Sequence, residues 1–316
     1  MFFNFRRFPM KSLNRIPIFG VRQIAVRLYM VADKNGRLSD YFADPQRIYE
    51  KWWPYRMLRK KFSPGASPLV SIVVATRDNR PTIERSLRSL MTQTYANLEV
   101  IVVDDSSSDG TGDVVRRLQL EDKRIFLLRN DRHLGTGQSR NRAMRVAQGE
   151  YITFQDGDDY SFPQRIEMQV QALLSHPNKI MTTCNYARVN DADQRLVIND
   201  RRIMECVISM MFRSREVLDK IGYFQNLSVS EDSDYRERIE IAFGRDCCII
   251  VFRTLYHALF RPDSSFFSDV RIVEYDGHRV CYERDSKSAD VYAEVLRHHD
   301  LMRMGVESVY SSFKAG

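Results

Sequence analysis

Three carboxylates are crowded into the stretch FQDGDDYSFP, residues 154–163. Asp156, Asp158 and Asp159 follow an apolar run and precede a segment with helical patterning. Like charges at this density repel one another, so the segment is either a solvated turn, in which Asp and Gly are common, or a site where a cation relieves the repulsion. Carboxylate oxygens after a buried strand suit Mg²⁺ or Mn²⁺, especially where ligand phosphates complete the octahedron, and we favour the cation.

Neither acidic segment matches a calcium-binding EF-hand loop. Residues 105–116 place Arg116 where the bidentate glutamate belongs. Residues 156–167 place Tyr160 and Ser161 where a ligand and the sharp-turn glycine belong. The spacing therefore excludes an EF-hand at either position.

The stretch GTGQSR, residues 135–140, invites comparison with a dinucleotide-binding loop. Arg140 stands in place of the third glycine, and the loop does not follow the first predicted strand, so that comparison fails. Two interpretations stay open. The segment is either a flexible entry into a helix or a loop whose backbone and Arg140 meet a phosphate, as helix N-termini often do.

The elements that position these residues alternate between strands and helices. Apolar runs predict strands at 69–75, 98–104, 124–128 and 150–154, and helical spacing predicts helices at 81–93, from 111, and at 136–147. This alternation indicates an α/β fold with a mainly parallel sheet and helices on both faces. Ligands of such sheets bind beyond the carboxyl ends of the strands, where both acidic clusters fall.

The second half is predicted by weaker signals. Strands are expected at 180–189 and 247–252, with an apolar stretch at 206–212. Helices are expected before Gly222, at 231–243 and at 288–302.

Composition limits the class of protein. A chain of 316 residues with 43% hydrophobic residues can bury a full core. Five cysteines without a C-x-x-C pair indicate reduced thiols and a cytosolic compartment. No uninterrupted apolar run predicts a membrane span, and the N-terminus lacks the apolar segment of a signal peptide.

The positive charge belongs to an N-terminal extension, which a Pro- and Gly-containing linker at 63–68 closes. Residues 1–61 hold fourteen Lys and Arg against four Asp and Glu, a net charge of +10, whereas the whole chain carries +7. Docking against the catalytic domain or a partner is the favoured role. Contact with an anionic membrane surface comes second, and nucleic-acid binding is the least favoured.

Taken in order, three segments closely resemble the family-two glycosyltransferases of the GT-A fold. They are SIVVATRDNRPTIERSLRSLMTQTYANLEVIVVDDSSSDGT, GTGQSRNRAMRVAQGEYITFQDGDD and EDSDYRERI, within residues 68–260. The resemblance implies transfer of a sugar from a nucleotide diphosphate donor, most readily a UDP-sugar, with inversion. It also implies that Ala75, Thr76 and Arg77 line the nucleobase, that Asp105 accepts a hydrogen bond from the base, and that Arg140 lies beside the donor.

The same resemblance assigns the acidic residues. Asp156 is expected to hold the ribose or donor sugar, and Asp158 the Mn²⁺ or Mg²⁺ that bridges the phosphates and offsets the charge of the leaving group. Asp232 matches the family base that takes the acceptor proton, and we group Glu231 with it. Without the resemblance, Asp232 would be interpreted as a residue stabilised by a helix dipole. His257 is favoured as structural, with contact to the metal or diphosphate as the alternative.

We therefore predict three regions: a basic extension at 1–66, a GT-A domain at 67–265 and a helical tail at 266–316. The donor half of the domain is expected at 67–160 and the acceptor half at 161–265. The expected activity is transfer to a hydroxyl of a glycan or lipid-linked acceptor in surface or capsular polysaccharide synthesis, at the cytoplasmic face of the membrane. Two alternatives stay open: a polyprenyl-phosphate glycosyltransferase, and a catalytically silent nucleotide-sugar-binding assembly module.

Overall fold

The computed structural model describes residues 67–227, 230–261, 270–284 and 286–312. The basic extension and its docking, membrane and nucleic-acid interpretations lie outside the described residues. So does the segment 262–269.

The first half of the described chain alternates strands and helices, as the apolar pattern predicts. Its elements are β1 (Val70–Thr76), α1 (Ile83–Met91), β2 (Leu98–Asp104), α2 (Thr111–Glu121), β3 (Ile125–Arg129), α3 (Thr136–Val146), β4 (Tyr151–Asp156), β5 (Tyr160–Ser161) and α4 (Arg165–Ser175). Strands β1 and β4 are buried along nearly their whole length, which is why they read as continuous apolar runs.

The second half begins with the strand predicted at 180–189. Its elements are β6 (Met181–Val189), β7 (Val197–Ile198), β8 (Met204–Arg213), α5 (Ser214–Ile221), α6 (Glu231–Phe243), a 3₁₀ turn (Arg245–Cys247), β9 (Cys248–Leu259), β10 (Val270–Tyr275), β11 (Arg279–Arg284) and α7 (Ser286–Arg303). The apolar stretch at 206–212 lies within β8, and β9 continues well beyond the six residues that the sequence predicts.

Eight strands form the main sheet in the order β3-β2-β1-β4-β8-β6-β9-β5. The pairs among β3, β2, β1 and β4 are parallel, β6 is parallel to β9, and β8 and β5 run antiparallel to their neighbours. Helices α1, α2 and α4 pack on one face, and α3, α5 and α6 on the other. The predicted α/β class and the mainly parallel sheet of the first half are confirmed.

The C-terminal segment contains the predicted helix, α7, but a β-hairpin that the sequence did not predict precedes it. Strands β10 and β11 pair as an antiparallel hairpin, and β11 adds to β7 in a separate three-stranded sheet. Helix α7 follows the hairpin and contacts α6. The hairpin was not predicted because most of β10 is exposed, and only Val270 and Ile272 pack against an apolar cluster.

All five cysteines are free thiols, and four of them are buried. Among the described residues, none of the helices combines the length and hydropathy needed to cross a bilayer.

Candidate active site

The site lies where three parallel strands end side by side. Ala75 of β1 is in register with Asp156 of β4, and Thr76 is in register with Asp104 of β2. The backbone N–H of Asp105 donates to the Thr76 carbonyl across 2.9 Å. The residues predicted to contact the nucleobase and the sugar are therefore neighbours at the carboxyl edge of the sheet. At this edge the strand order reverses, because β2 lies on one side of β1 and β4 on the other.

Gly157 allows the acidic turn to lie directly against the end of β1. A Cβ at this position would overlap Thr76 Oγ1, come within 2.8 Å of Thr76 Cβ and within 3.0 Å of Asn79 Nδ2. Any side chain here would push the turn away from the sheet. The glycine between Asp156 and Asp158 is thus required by close approach.

Arg140 of α3 links the end of β4 with the start of α6. Its side chain is 2% exposed, and its guanidinium lies 5.6 Å from the ring centroids of both Phe154 and Phe224. Within this buried setting its Nη2–H donates to Asp156 Oδ1 across 2.9 Å. One buried cation beneath two aromatic rings therefore holds the carboxylate that ends β4.

The other amino group of Arg140 faces the start of α6. Its Nη1–H donates to Asp232 Oδ1 and reaches Glu231 Oε1 at 3.4 Å. The first two residues of α6 thus meet the end of β4 at a single guanidinium. The structure brings together four of the predicted site residues, Arg140, Asp156, Glu231 and Asp232.

Two of these carboxyls have raised pKa values. Burial raises the pKa of Glu231 to about 7, with the neighbouring Asp232 charge adding to the effect and Arg140 opposing it. Burial likewise raises the pKa of Asp156 to about 6, and Arg140 again opposes that rise. Carboxyls with pKa values this close to neutrality are typical of sites that move protons.

Asp158 has a different cation. Arg261, just beyond β9, donates its Nη2–H to Asp158 Oδ2 across 2.6 Å and to Asn79 Oδ1 across 3.1 Å. The Asp158 side chain is 14% exposed, so its carboxylate is mostly but not fully buried. The residue predicted to bind metal is thus paired with a protein cation in this structure.

The third carboxylate of the cluster serves the framework. Asp159 is buried, and its Oδ1 accepts the Leu259 backbone N–H across 2.9 Å. Burial, together with the Asp158 and Asp156 charges, raises its pKa well above the usual range. Asp159 therefore ties the acidic turn to β9.

Asp105 organises the loop that precedes α3. Its carboxylate accepts hydrogen bonds from Asn130, from His133 and from the backbone N–H groups of Leu134 and Gly135. Burial raises the pKa of Asp105, but these four hydrogen bonds outweigh burial and bring the pKa below its ordinary value. Asp105 is therefore ionised throughout the neutral range.

Residues with strained backbone lie in the loops beside the site residues. Asp78, Ser106 and Ser230 adopt positive φ angles of 47°, 62° and 59°. Asp78 follows the exposed Arg77, whose Nε lies 3.5 Å from Asp78 Oδ2, and Ser230 directly precedes Glu231. Non-glycine residues held in this region are concentrated at functional sites in many proteins.

His257 lies apart from the carboxylate cluster. It is in register with Tyr160 on β5, and its ring packs edge-on against Phe162 with centroids 4.7 Å apart. Burial lowers its pKa to about 4, helped by the cations Arg195 and Arg85. This environment agrees with the structural role that the sequence favours.

The carboxylates of the site suit a metal ion that is coordinated partly by the protein and partly by a bound ligand. Among the residues that the structure describes, no three His, Cys, Asp or Glu side chains are grouped as a metal site of protein ligands alone. Asp158 nevertheless offers a carboxylate at the turn beyond β4. Mg²⁺ and similar ions are commonly held by one or two carboxylates together with substrate phosphates, so the residues present fit such an ion.

Sequence reasoning missed Arg261, His133 and Asn79. Arg261 could have been noticed as an isolated cation directly after an apolar strand, and His133 as the histidine in the loop before GTGQSR. Their contacts join positions far apart in the chain, 103 residues for Arg261 with Asp158 and 28 residues for His133 with Asp105.

These features define an α/β protein with a cluster of charged residues beyond its parallel strands, at the edge where ligands of such sheets bind. The chain belongs to Glycosyl transferase family 2, whose family model matches residues 71–259, more than half of its length. This match confirms the resemblance of the three sequence motifs.

Two relatives from Escherichia coli are both named UDP-Glc:alpha-D-GlcNAc-diphosphoundecaprenol beta-1,3-glucosyltransferase. One, WfaP, is 39% identical over 102 residues, which is 32% of this chain and 40% of WfaP. The other, WfgD, is 39% identical over 123 residues, which is 39% of this chain and 47% of WfgD. The chain thus matches less than half the length of each relative.

A solved structure of S. aureus TarS residues 1–349 in complex with UDP-GlcNAc has a similar fold. The TM-score is 0.56 at 19% sequence identity, over 75% of this chain and 71% of that one. Together with the family match, this similarity confirms the predicted GT-A fold.

Proposed function

We propose that the chain is a metal-dependent inverting glycosyltransferase that moves a sugar from a nucleotide diphosphate donor to an acceptor hydroxyl. The observation that carries this proposal is the contact of Arg140 with Asp156 on one side and Asp232 on the other. This contact brings the first turn of α6 against the end of β4, which supports a base on α6 facing a donor bound at the sheet edge. Inversion requires a base on the face of the sugar opposite the leaving group.

The reaction assigns a separate task to each residue. Asp232 takes the proton of the acceptor hydroxyl while the hydroxyl oxygen forms a bond to the anomeric carbon of the donor sugar. The bond from that carbon to the donor phosphate oxygen breaks. Arg140 holds the Asp232 carboxylate in place. Glu231 and Asp156 lie against the same guanidinium, with Asp156 at the donor sugar.

Mn²⁺ or Mg²⁺ at Asp158 would supply positive charge to the departing nucleoside diphosphate. Arg261 donates to the same carboxylate, and the same Nη2 of its guanidinium also donates to Asn79 Oδ1. Ala75, Thr76 and Arg77 remain our assignment for the wall of the nucleobase site.

UDP-sugars are the donors that we favour, because WfaP and WfgD are named for UDP-Glc and TarS is solved with UDP-GlcNAc. The same names favour a diphosphate-lipid acceptor that carries a sugar hydroxyl. A place in surface or capsular polysaccharide synthesis at the cytoplasmic face of the membrane follows from this proposal. Within it, residues 67–160 form the donor half, residues 161–265 the acceptor half, and residues 266–316 the tail.

The test is a screen of UDP-, GDP- and dTDP-linked sugars with the full chain, in Mn²⁺, in Mg²⁺ and in excess chelator. We expect one nucleotide class to stabilise the protein and to be slowly hydrolysed, with both effects lost in chelator. Binding without turnover on any acceptor would favour the silent assembly module. Full activity in chelator would contradict the metal at Asp158.

For the basic extension, we infer docking or contact with anionic lipid through residues 1–61, which carry a net charge of +10. Deleting these residues distinguishes the two roles. Release from acidic vesicles, reproduced by raised salt, would support lipid contact, because surface attraction is screened within about 8 Å at physiological ionic strength. An insoluble deletion variant would favour docking.

A further inference from the structure

The last described residues of the chain lie against the turn between α5 and α6. The backbone N–H of Ser311 donates to the Ile221 carbonyl at 2.9 Å, and the Tyr223 N–H donates to the Ser311 carbonyl at 2.9 Å. Gly222 lies between these two residues and forms a parallel bridge with Ser311. We call residues 309–312 the C-terminal strap and residues 221–224 the turn.

Gly222 allows the strap to approach the turn closely. Its φ angle is +68°, and a Cβ at this position would overlap the Ser311 carbonyl oxygen and come within 3.0 Å of the Ser311 carbonyl carbon. Both atoms belong to the backbone, which cannot rotate away as a flexible side chain can. A side chain at residue 222 would therefore push the strap off the turn.

Arg238 of α6 joins the strap, the turn and its own helix from the interior. Its side chain is fully buried, and its Nη1–H groups donate to the Ile221 and Val309 carbonyls at 2.9 and 3.0 Å. Its Nη2–H donates to the Tyr223 carbonyl at 2.7 Å, and its Nε–H donates to Asp234 Oδ2 at 3.0 Å. The strap thus supplies one of the acceptors of a planar guanidinium whose donors point in several directions at once.

The other end of the turn packs against Arg140, which holds the proposed base. The Phe224 ring stacks on Tyr235 of α6 with centroids 4.2 Å apart, and the Arg140 guanidinium lies 5.6 Å from the Phe224 centroid. The Asn141 amide of α3 donates to the Phe224 carbonyl at 3.0 Å and accepts the Phe224 N–H at 2.9 Å. The turn therefore lies between α3 and α6, whose side chains Arg140 and Asp232 are in contact.

We propose that the C-terminal strap positions the first turn of α6 for catalysis, with Gly222 and Arg238 as the positioning residues through which it acts. Without the strap, the turn loses both backbone hydrogen bonds to Ser311, and Arg238 loses one carbonyl. The turn then shifts between α3 and α6, and the Asp232 carboxylate shifts with it. A displacement of about 1 Å at a catalytic group can cost on the order of 10²-fold in rate. This inference rests on the proposed function, because the position of Asp232 affects turnover only if Asp232 is the base.

The test compares Gly222→Ala with Gly244→Ala in the full chain. Gly244, at the end of α6, has a similar φ of +86°, but no described atom lies within 4 Å of its Cβ position. Its substitution therefore brings similar backbone strain without touching the strap.

Two quantities are measured for each variant with Mn²⁺ present. One is kcat for hydrolysis of UDP-Glc and UDP-GlcNAc, in which water replaces the acceptor, and the other is UDP affinity by calorimetry. We expect kcat of Gly222→Ala to fall about tenfold and UDP affinity to stay within about twofold, because the residues assigned to the donor end β1, β2 and β4. Gly244→Ala should keep the wild-type kcat. Equal kcat in the two variants, or a parallel loss of UDP affinity, would overturn the inference.

Deletion of residues 309–316 separates loss of the strap from backbone strain. The deletion alone should lower kcat about as much as Gly222→Ala does. Adding Gly222→Ala to the deletion should lower kcat little further, because the strap is already gone. Full additivity of the two changes, or wild-type kcat in the deletion variant, would contradict a positioning role.

Hydrogen exchange gives a readout that does not require turnover. In the deletion variant, exchange should accelerate at the Tyr223 N–H and at the Asp234 N–H, which donates to the Ser230 carbonyl at 2.9 Å in the first turn of α6. Exchange along β1 should stay as in wild type. Unchanged exchange at Asp234 would overturn the inference alone. A wild type that turns over no UDP-, GDP- or dTDP-sugar would overturn the proposed function and the catalytic role of the strap with it.

Discussion

Arg261 donates a hydrogen bond of 2.6 Å to Asp158, the carboxylate that we assign to the metal. The other two carboxylates of the cluster have partners of their own. Asp156 is held by Arg140, and Asp159 is buried against the Leu259 backbone. Three crowded carboxylates are tolerated because each faces a different partner.

The first prediction concerns competition at Asp158. Because a divalent cation and the Arg261 guanidinium would use the same carboxylate, Arg261→Gln should tighten Mn²⁺ binding to the donor-free protein. We expect an increase of severalfold to about tenfold, since a partly buried ion pair contributes on the order of 1 kcal/mol. Electron paramagnetic resonance measures the free Mn²⁺ at each point of a titration and so gives the Mn²⁺ affinity of each variant.

Two variants give this experiment its controls. Arg279→Gln removes an exposed ion pair with Asp200 in the three-stranded sheet and should leave Mn²⁺ affinity unchanged. Asp158→Asn should weaken it. Equal Mn²⁺ affinity in Arg261→Gln and wild type would show that metal and guanidinium do not compete.

The second prediction tests the base. Asp232→Asn keeps the shape of the side chain and removes its proton acceptor, so transfer should fall on the order of 10²-fold or more while donor affinity changes little. Transfer rate and calorimetric donor affinity are measured on the same preparation. Asp219→Asn, an exposed position on α5 paired loosely with Arg215, is the control and should retain full activity. A near wild-type rate for Asp232→Asn would contradict the assigned base and favour the alternative that the protein is a polyprenyl-phosphate glycosyltransferase.

The third prediction concerns the buried cation. Arg140→Met should lower the free energy of unfolding by about 3–5 kcal/mol, because it leaves Asp156, Glu231 and Asp232 without their shared partner. Urea unfolding at neutral pH measures the change. Arg116→Met removes an exposed ion pair with Asp113 and should stay within about 0.5 kcal/mol of wild type.

A double-mutant cycle sharpens the same test. Since Arg140 and Asp232 are in direct contact, Arg140→Met combined with Asp232→Asn should cost less than the sum of the two single changes. Strict additivity would show that the ion pair contributes nothing.

The first half of the fold, from β1 to β4, could be predicted from the sequence because each of its elements has its own local signal. Strands β1, β2 and β4 are buried on both faces and appear as continuous apolar runs. The β10–β11 hairpin has a weaker signal, because β10 exposes most of its side chains and only Val270 and Ile272 pack against the apolar cluster around Val280.

The site was predicted as residue types at strand ends, but not as contacts. Acidic residues after buried strands indicate a ligand-binding edge, and this is a local pattern. The partners of those residues come from distant segments: 92 residues separate Arg140 from Asp232. Nothing in the local sequence around Asp105 shows that the loop after β3 would fill its carboxylate.

The fourth prediction follows from the raised pKa of Glu231. Its value of about 7 in the folded protein lies above the ordinary 4.5, mainly because of burial, so the folded state binds the proton more tightly than the unfolded state. The stability contribution is complete below pH 4.5 and is lost as pH rises towards 7. Glu231→Gln, which cannot ionise, should gain stability relative to wild type between these values, on the order of 2 kcal/mol.

Urea unfolding of Glu231→Gln and wild type at pH about 4.5 and 8 measures this difference. Glu84→Gln is the control, because the hydrogen bond from Arg88 lowers the pKa of Glu84 below its ordinary 4.5. The pH-dependent contribution of Glu84 therefore changes mainly below the measured range, and the stability of this variant relative to wild type should change little between pH about 4.5 and 8. A stability difference for Glu231→Gln that does not change with pH would contradict the raised pKa.

The fifth prediction concerns the contact between the tail and the helix that carries the base. His299 of α7 lies 2.9 Å from Asp234 Oδ1, and both side chains are almost fully buried. The other carboxylate oxygen of Asp234 accepts from Arg238, which also donates to the carbonyls of Ile221, Tyr223 and Val309.

Removing His299 takes one partner from a buried carboxylate, and a buried polar group without its partner costs about 1–3 kcal/mol. His299→Ala should therefore lower the melting temperature by several degrees, and His299→Phe, which fills the space without the hydrogen bond, should recover only part of the loss. Calorimetry compares both with His298→Ala, the neighbouring histidine on the same helix, which is half-exposed and should change stability little. Equal melting temperatures for His299→Ala and His298→Ala would mean that the tail does not stabilise α6 through Asp234.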